Sequence, residues 1–127
     1  MLLDSSMKKT VVIGATSNVS RYSFIAAEML AEYNHVFVPI GIKNGKVLGR
    51  DILDIRHKPP VDDVDTITLY IGPATQAEHY DYLLSLKPRR IIFNPGTENP
   101  EFEIMAGKKG VETLNACTLV LLRLGSY

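Results

Sequence analysis

Two hydrophobic rhythms take turns along this chain. Lys9 to Ile13 is a near-continuous β-branched run, the pattern of a parallel strand buried on both faces. A helix is predicted from Arg21 to Tyr33, because Phe24, Ala27, Leu30 and Ala31 fall at helical spacing and Ile25 and Met29 widen the stripe. Ser20 is its expected N-cap, and Asn34 can close it in a left-handed conformation. His35 to Ile40 predicts a second strand; Pro39 has no N–H for a ladder and belongs near the strand end or at a one-sided position. Gly41 to Gly49 reads as a loop carrying Lys43 and Lys46, Val47 to Ile55 as a short extended or turn-like piece, and Lys58-Pro59-Pro60 as an extended connector.

Thr66 to Ile71 predicts the third strand, stopping at Gly72-Pro73. Thr75 and Glu78 stand at capping-box spacing, so the next helix starts there, carries Ala77, Tyr80, Leu83 and Leu84 on one side and ends before Pro88. Arg90 to Phe93 is the fourth strand. Asn99-Pro100 pairs an N-cap with proline at the first helical position; that helix turns Phe102 and Met105 inward and stops near Gly107 or Gly110. Val111 to Leu114 is a fifth strand, and the final CTLVLLRLG is a short helix covering an edge of the sheet. Strand and helix alternate throughout, which predicts an α/β fold: a doubly wound parallel sheet of about five strands in three layers.

Composition narrows what such a fold does. At 127 residues one domain is expected, over residues 8–127 behind a flexible extension of residues 1–7. The 14 basic and 14 acidic residues cancel, which argues against a general nucleic-acid or anionic-membrane binder but allows a local basic cluster. Cys117 is the single cysteine, so an intramolecular disulfide is excluded and a reducing compartment fits; it reads as a small apolar filler. No run approaches the roughly 18 apolar residues of a bilayer span, and MLLDSS lacks the basic and apolar regions of a signal peptide. A cytoplasmic protein is the expectation. His35, His57 and His79 are scattered without ligand spacing, so no metal site is expected, and His79 should face solvent. No nucleophile–base or paired-carboxylate arrangement stands out, and the chain does not read as an enzyme.

Ligands of doubly wound sheets lie beyond the carboxyl ends of the strands. Here those ends carry GATSNVSR, PIGIK, YIGPAT and NPGTEN, four loops rich in glycine, proline and hydroxyls. The first has the layout of strand, small-residue turn and helix start, which aims backbone N–H groups and a helix dipole at an anion. Gly14, Ala15, Thr16, Ser17, Asn18, Ser20, Arg21 and Ser23 are its candidate phosphate-cradle residues. A cation at a helix start, as Arg21 is, conflicts with the dipole unless a phosphate is bound there. The G-x-G-x-x-G fingerprint fails, since Thr16 and Val19 replace the later glycines, and no acidic residue ends the second strand. Lys43 sits there instead, with Lys46 beyond, which suits a ribose carrying an extra phosphate, as in coenzyme A or NADP. The Gly-Lys-Ser/Thr of a P-loop is absent.

These residues resemble the small CoA-binding proteins. Gly14-x-Thr16-x-Asn18-x-x-Arg21-x-Ser23 is similar to that family's G-x-S-x-N-x-x-R-x-S after strand one. Val38 to Lys43, with Ile40 at the strand end, is similar to its V-I-P-V-N-P-K; Val47-Leu48-Gly49 matches I-L-G; Asn94-Pro95-Gly96-x-x-Asn99 resembles Q-P-G-x-x-N; and Cys117 falls at a late cysteine. Two arginines of the pattern are absent, at Tyr70-Ile71-Gly72-Pro73 and at Ala116-Cys117-Thr118. The resemblance spans about residues 8–120 and implies a Rossmann-like domain, akin to the N-terminal domain of the succinate–CoA ligase alpha subunit, that binds coenzyme A or an acyl-CoA without catalysis. It implies that backbone N–H groups after Gly14, with Asn18 and Ser20, hold the pyrophosphate, and that Arg21 and Lys43 contact phosphates. The Gly72-Pro73 and Asn94-Pro95-Gly96 loops then shape the adenine and pantetheine walls, and a homodimer or partner protein is compatible. Two other readings stand beside it: an NADP-type binder or minimal oxidoreductase, and a degenerate module kept for protein interaction with its pocket empty.

Overall fold

The computed structural model describes residues 7–127, so the expected N-terminal extension lies, Met7 apart, outside the described residues. In chain order the strands are β1 (Thr10–Ile13), β2 (Phe37–Gly41), β3 (Lys46–Val47), β4 (Arg50–Asp51), β5 (Leu53–Asp54), β6 (Thr66–Leu69), β7 (Arg90–Phe93) and β8 (Glu112–Asn115). β3 and β4 make a small antiparallel ribbon. The other six form one parallel sheet in the order β5-β2-β1-β6-β7-β8. The sheet therefore has one strand more than the clear apolar runs predicted, because β5 is only two residues long and adds to the edge beside Ile40 and Gly41. Pro39 lies opposite Val12 on β1, while pairing with β5 begins only at Ile40, so its missing N–H leaves no gap in a two-sided ladder.

Alternation along the strands splits the core in two. Val11, Ile13, Ile67, Leu69, Ile91 and Phe93 pack against residues of α3 (Tyr80–Ser85) and α4 (Pro100–Lys108), led by Leu83 and Phe102. Val12, Phe37 and Ile92 pack against α1 (Tyr22–Glu32) and α5 (Thr118–Leu124) through Phe24, Leu30, Leu119 and Leu122. Each fully buried side chain of this kind contributes about 1.5–3 kcal/mol over leaving it in water. α5 lies beside α1 on that face rather than over an edge, a correction to the expected placement. The same face buries polar groups that pair among themselves: Thr68 and Thr118 hydroxyls at 2.8 Å, and Arg90 Nε donating to Thr66 Oγ1 at 2.7 Å while its guanidinium covers the Tyr127 ring at 4.3 Å.

The helix starts show where side-chain chemistry was misjudged. Ser20 does not cap α1; Arg21 occupies the cap position and makes no side-chain cap bond. Asn34 does take the left-handed conformation, at φ 67°. The single helix expected behind Thr75 is two: α2 (Pro73–Ala77), with Gly72 at its cap and Pro73 at its first position, and then α3 after a break at Glu78 and His79. Of its expected inward stripe, Leu83 is buried and Tyr80 and Leu84 pack on the core, but Ala77 is exposed and Gln76 is fully buried beside it. Asn99 does cap α4, its Oδ1 accepting from Phe102 N at 3.1 Å. Among the described residues no helix is long and apolar enough to cross a membrane.

Candidate functional site

Strand order reverses at β1, whose neighbours β2 and β6 lead away in opposite directions, and a cavity of about 570 Å³ opens at their carboxyl ends. All four expected loops reach it. The β1–α1 loop brings Gly14, Ala15, Thr16, Ser20, Arg21 and Ser23; the end of β2 brings Gly41, Ile42 and Lys43; the β6 side brings Ile71, Gly72, Thr75 and His79; and the β7–α4 loop brings Pro95, Gly96 and Thr97.

The floor is made by close backbone approach. Gly14 takes φ +92°, and a Cβ there would stand 3.0 Å from the Tyr70 carbonyl oxygen and 3.1 Å from Ile71 Cγ2. A Cβ on Gly41 would stand 2.8 Å from the Ala15 carbonyl oxygen. Gly14→Ala is expected to lower stability by about 1–3 kcal/mol, because it adds a disfavoured backbone conformation to a contact with main chain. A urea midpoint unchanged from the native protein would contradict this.

The Ile40 carbonyl oxygen accepts two N–H groups, from Gly14 at 2.9 Å and Ala15 at 3.1 Å. Of the N–H groups after Gly14 expected for a pyrophosphate, that of Ala15 is therefore already used. The N–H groups of the first turn of α1, at Tyr22 and Ser23, have no intrahelical acceptor, and no side chain caps them. The helix start therefore offers uncapped N–H donors at the cavity where Gly14 and Ala15 offer none.

Five expected contact residues do not line the cavity. Asn18 folds back on its own loop, its Oδ1 accepting from Ser20 N at 3.0 Å and Ser20 Oγ at 2.7 Å. Ser17 turns to the ribbon, its Oγ 3.1 Å from where a Cβ on Gly45 would lie. Ile40 is a fully buried core residue that contributes only its carbonyl. Pro73 starts α2 on the exposed side. Asn94, 2% exposed, spends its amide internally: Nδ2 donates to Thr68 Oγ1 and the Leu69 carbonyl, and Oδ1 accepts from Thr118 N at 2.9 Å, so it caps α5. Lys46 is likewise turned away and paired with Asp51 at 2.8 Å. Cys117 is half-buried against the α1 and α5 cluster and does not line the cavity.

The charge at the cavity is one-sided. Arg21, Lys43 and His79 line it and no aspartate or glutamate does. Among the described residues the ion pairs, Lys46–Asp51 and Asp54 with Arg56 and His57, involve neither Arg21 nor Lys43. Asp54, just before the cavity residue Ile55, is already matched: hydrogen bonds from the Arg56 side chain and backbone hold its carboxyl down at about 2. Burial pushes the Tyr70 phenol well above its ordinary range, so it stands neutral at the cavity wall.

His79 was expected in solvent, yet the break between α2 and α3 turns it to the cavity. Tyr22 and Ile42, 71% and 63% exposed, form an apolar lip that the polar reading of the loops passed over. Their signal was available as large apolar residues directly after a glycine-rich or polar turn. Among the described residues no group of His, Cys, Asp or Glu could hold a metal ion.

A family described as a CoA binding domain matches residues 8–123. No curated protein matches the chain. A crystal structure of an uncharacterized protein is 48% identical, covers 97% of this chain and 100% of its own, and superposes with a TM-score of 0.93. Two more distant structures share the fold. A protein from Thermus thermophilus is 20% identical, with 97% of this chain and 92% of that one covered and a TM-score of 0.80. A hypothetical protein from Pyrococcus horikoshii is 24% identical, with 94% and 85% covered and a TM-score of 0.81.

Proposed function

The chain belongs to the CoA-binding domain family, and from that premise we propose that it holds coenzyme A or an acyl-CoA at the carboxyl edge of its sheet without transforming it. One observation carries the reading: the cavity combines Arg21, Lys43 and His79 with no lining carboxylate. A ligand with a pyrophosphate and a phosphorylated ribose is polyanionic, and a carboxylate-free wall with two full cations is what favours it. The open first turn of α1 adds N–H donors and the positive end of a helix dipole. The close approaches at Gly14 and Gly41 keep the backbone where a bulky diphosphate needs room. Arg21 and Lys43 would take phosphates, the uncapped N–H groups at the α1 start the pyrophosphate, and Ile42, Ile71 and Pro95 the adenine and pantetheine. A lining with one imidazole and no acid to pair with it supports holding over catalysis. The chain would then carry or sequester CoA thioesters, alone, as a homodimer or for a partner protein.

Calorimetric titration with CoA, acetyl-CoA, NADP and NAD side by side tests this. CoA and acetyl-CoA are expected to bind with dissociation constants on the order of micromolar, and NAD, which lacks the ribose phosphate, not to bind. Heat with NADP alone would replace the proposal with an NADP site. No heat with any of the four would leave an interaction module.

A further inference from the structure

One wall of the cavity is held together by a side chain that does not touch the cavity. Gln76 is fully buried on α2, between the β6–α2 loop and the β7–α4 loop. Its Nε2 donates to the Ile71 and Thr97 carbonyl oxygens, both at 2.8 Å. Its Oε1 accepts from Asn99 Nδ2 at 2.9 Å. Asn99, 4% exposed, gives its other Nδ2 hydrogen to Tyr80 Oη at 2.8 Å and keeps Oδ1 for the α4 cap. Ile71 and Thr97 line the cavity; Gln76 and Asn99 do not.

A buried amide is a hazardous choice for stability alone, since any bond it fails to make leaves a polar group unpaired away from water, whereas an apolar residue of its size carries no such risk. Here each donor is used, and the bonds of Gln76 to Thr97 and Asn99, and of Asn99 to Tyr80, cross between segments. The bonds fix the distance between two loops that no strand pairing joins at that point. The network stays on the β6–β7 side and makes no bond to the β1–α1 loop or to Lys43.

We propose that Gln76 and Asn99 are positioning residues that lock these two loops into one preformed wall for the uncharged pantetheine arm of the ligand, while the phosphates are held elsewhere. This rests on the CoA reading above. It divides the site into a half that carries Arg21 and Lys43, on the β1–α1 loop and β2, and a half built on the amide brace that has neither arginine nor lysine in its lining. A ligand that keeps the phosphates and lacks the arm should therefore be indifferent to the brace.

Two variants test it. Gln76→Met keeps the volume and removes all three bonds. Asn99→Asp keeps an acceptor for the α4 cap and removes the donor to Gln76 and Tyr80, so it retains the helix start. Each is titrated with CoA and with adenosine 3′,5′-bisphosphate, which carries nucleotide phosphates and no pantetheine. CoA is expected to bind about tenfold more weakly to both variants, because ordering the wall is no longer done in folding and falls on binding. The bisphosphate should stay within about twofold of its native affinity for Asn99→Asp. Equal weakening of both ligands, or unchanged CoA affinity, overturns the proposal. If the native chain binds neither ligand, the CoA reading itself fails. Amide exchange then decides the brace: faster exchange confined to residues 71–76 and 94–99 in the variants supports it, and unchanged exchange there overturns it.

Discussion

Replacing Arg21 and Lys43 together by alanine is expected to weaken CoA binding about a hundredfold and to leave the urea midpoint where it was. Hydrogen bonds to charged groups contribute about 1.5–3 kcal/mol each. Both side chains are exposed, so screening by water and salt puts the pair near the lower end, at about 3 kcal/mol in total. Stability is spared because neither residue makes an ion pair among the described residues, and Arg21 stands at a helix start where its charge opposes the dipole. The native affinity should also fall as salt rises, and that of the double variant should fall less steeply. Titration at two ionic strengths reads both effects. A double variant that keeps native affinity would mean that the ligand's phosphates lie away from these cations.

The largest loss of stability is expected from Phe102→Ala, at about 3–5 kcal/mol by urea unfolding. Phe102 is fully buried, stacks on Tyr80 with ring centroids 4.5 Å apart, and meets Phe93 edge-on at 5.9 Å. Removing the ring leaves a cavity between β7 and α4 that the strand cannot close without losing its pairing with β6 and β8. Domains of this kind hold about 5–15 kcal/mol in all, so the variant should be folded at low temperature and marginal at physiological temperature. A change below about 1 kcal/mol would show that the helix repacks into the space.

The strands were readable because a parallel strand covered on both faces must be apolar throughout; Arg90 to Phe93 came out with its observed limits for that reason. The start of α4 was readable too, because Asn99-Pro100 combines a cap acceptor with a ring already set for the first turn. Gln76 was not. An amphipathic reading sorts residues by polarity, and it assigned Ala77 to the inside because nothing local shows that a glutamine has three partners, two of them more than 20 residues along the chain. Asn94 failed in the same way: in an Asn-Pro-Gly turn it reads as a ligand contact, yet its acceptor serves Thr118 on a distant helix. β5 is too short to have a rhythm at all. The loops around the cavity were foreseeable as loops, since strand ends in this fold converge. Which of their donors stay available was not, because Ile40, 26 residues past Gly14, decides it.

That double acceptor at Ile40 has a consequence for how fast a ligand is captured and released. Fixing one residue's backbone costs about 1–2 kcal/mol of conformational entropy, and for Gly14 and Ala15 this cost falls in folding rather than at the moment of binding. Association then needs no ordering of the turn and is governed by diffusion and by the field of the cations. Variants around the cavity should differ from one another mainly in how long the ligand stays.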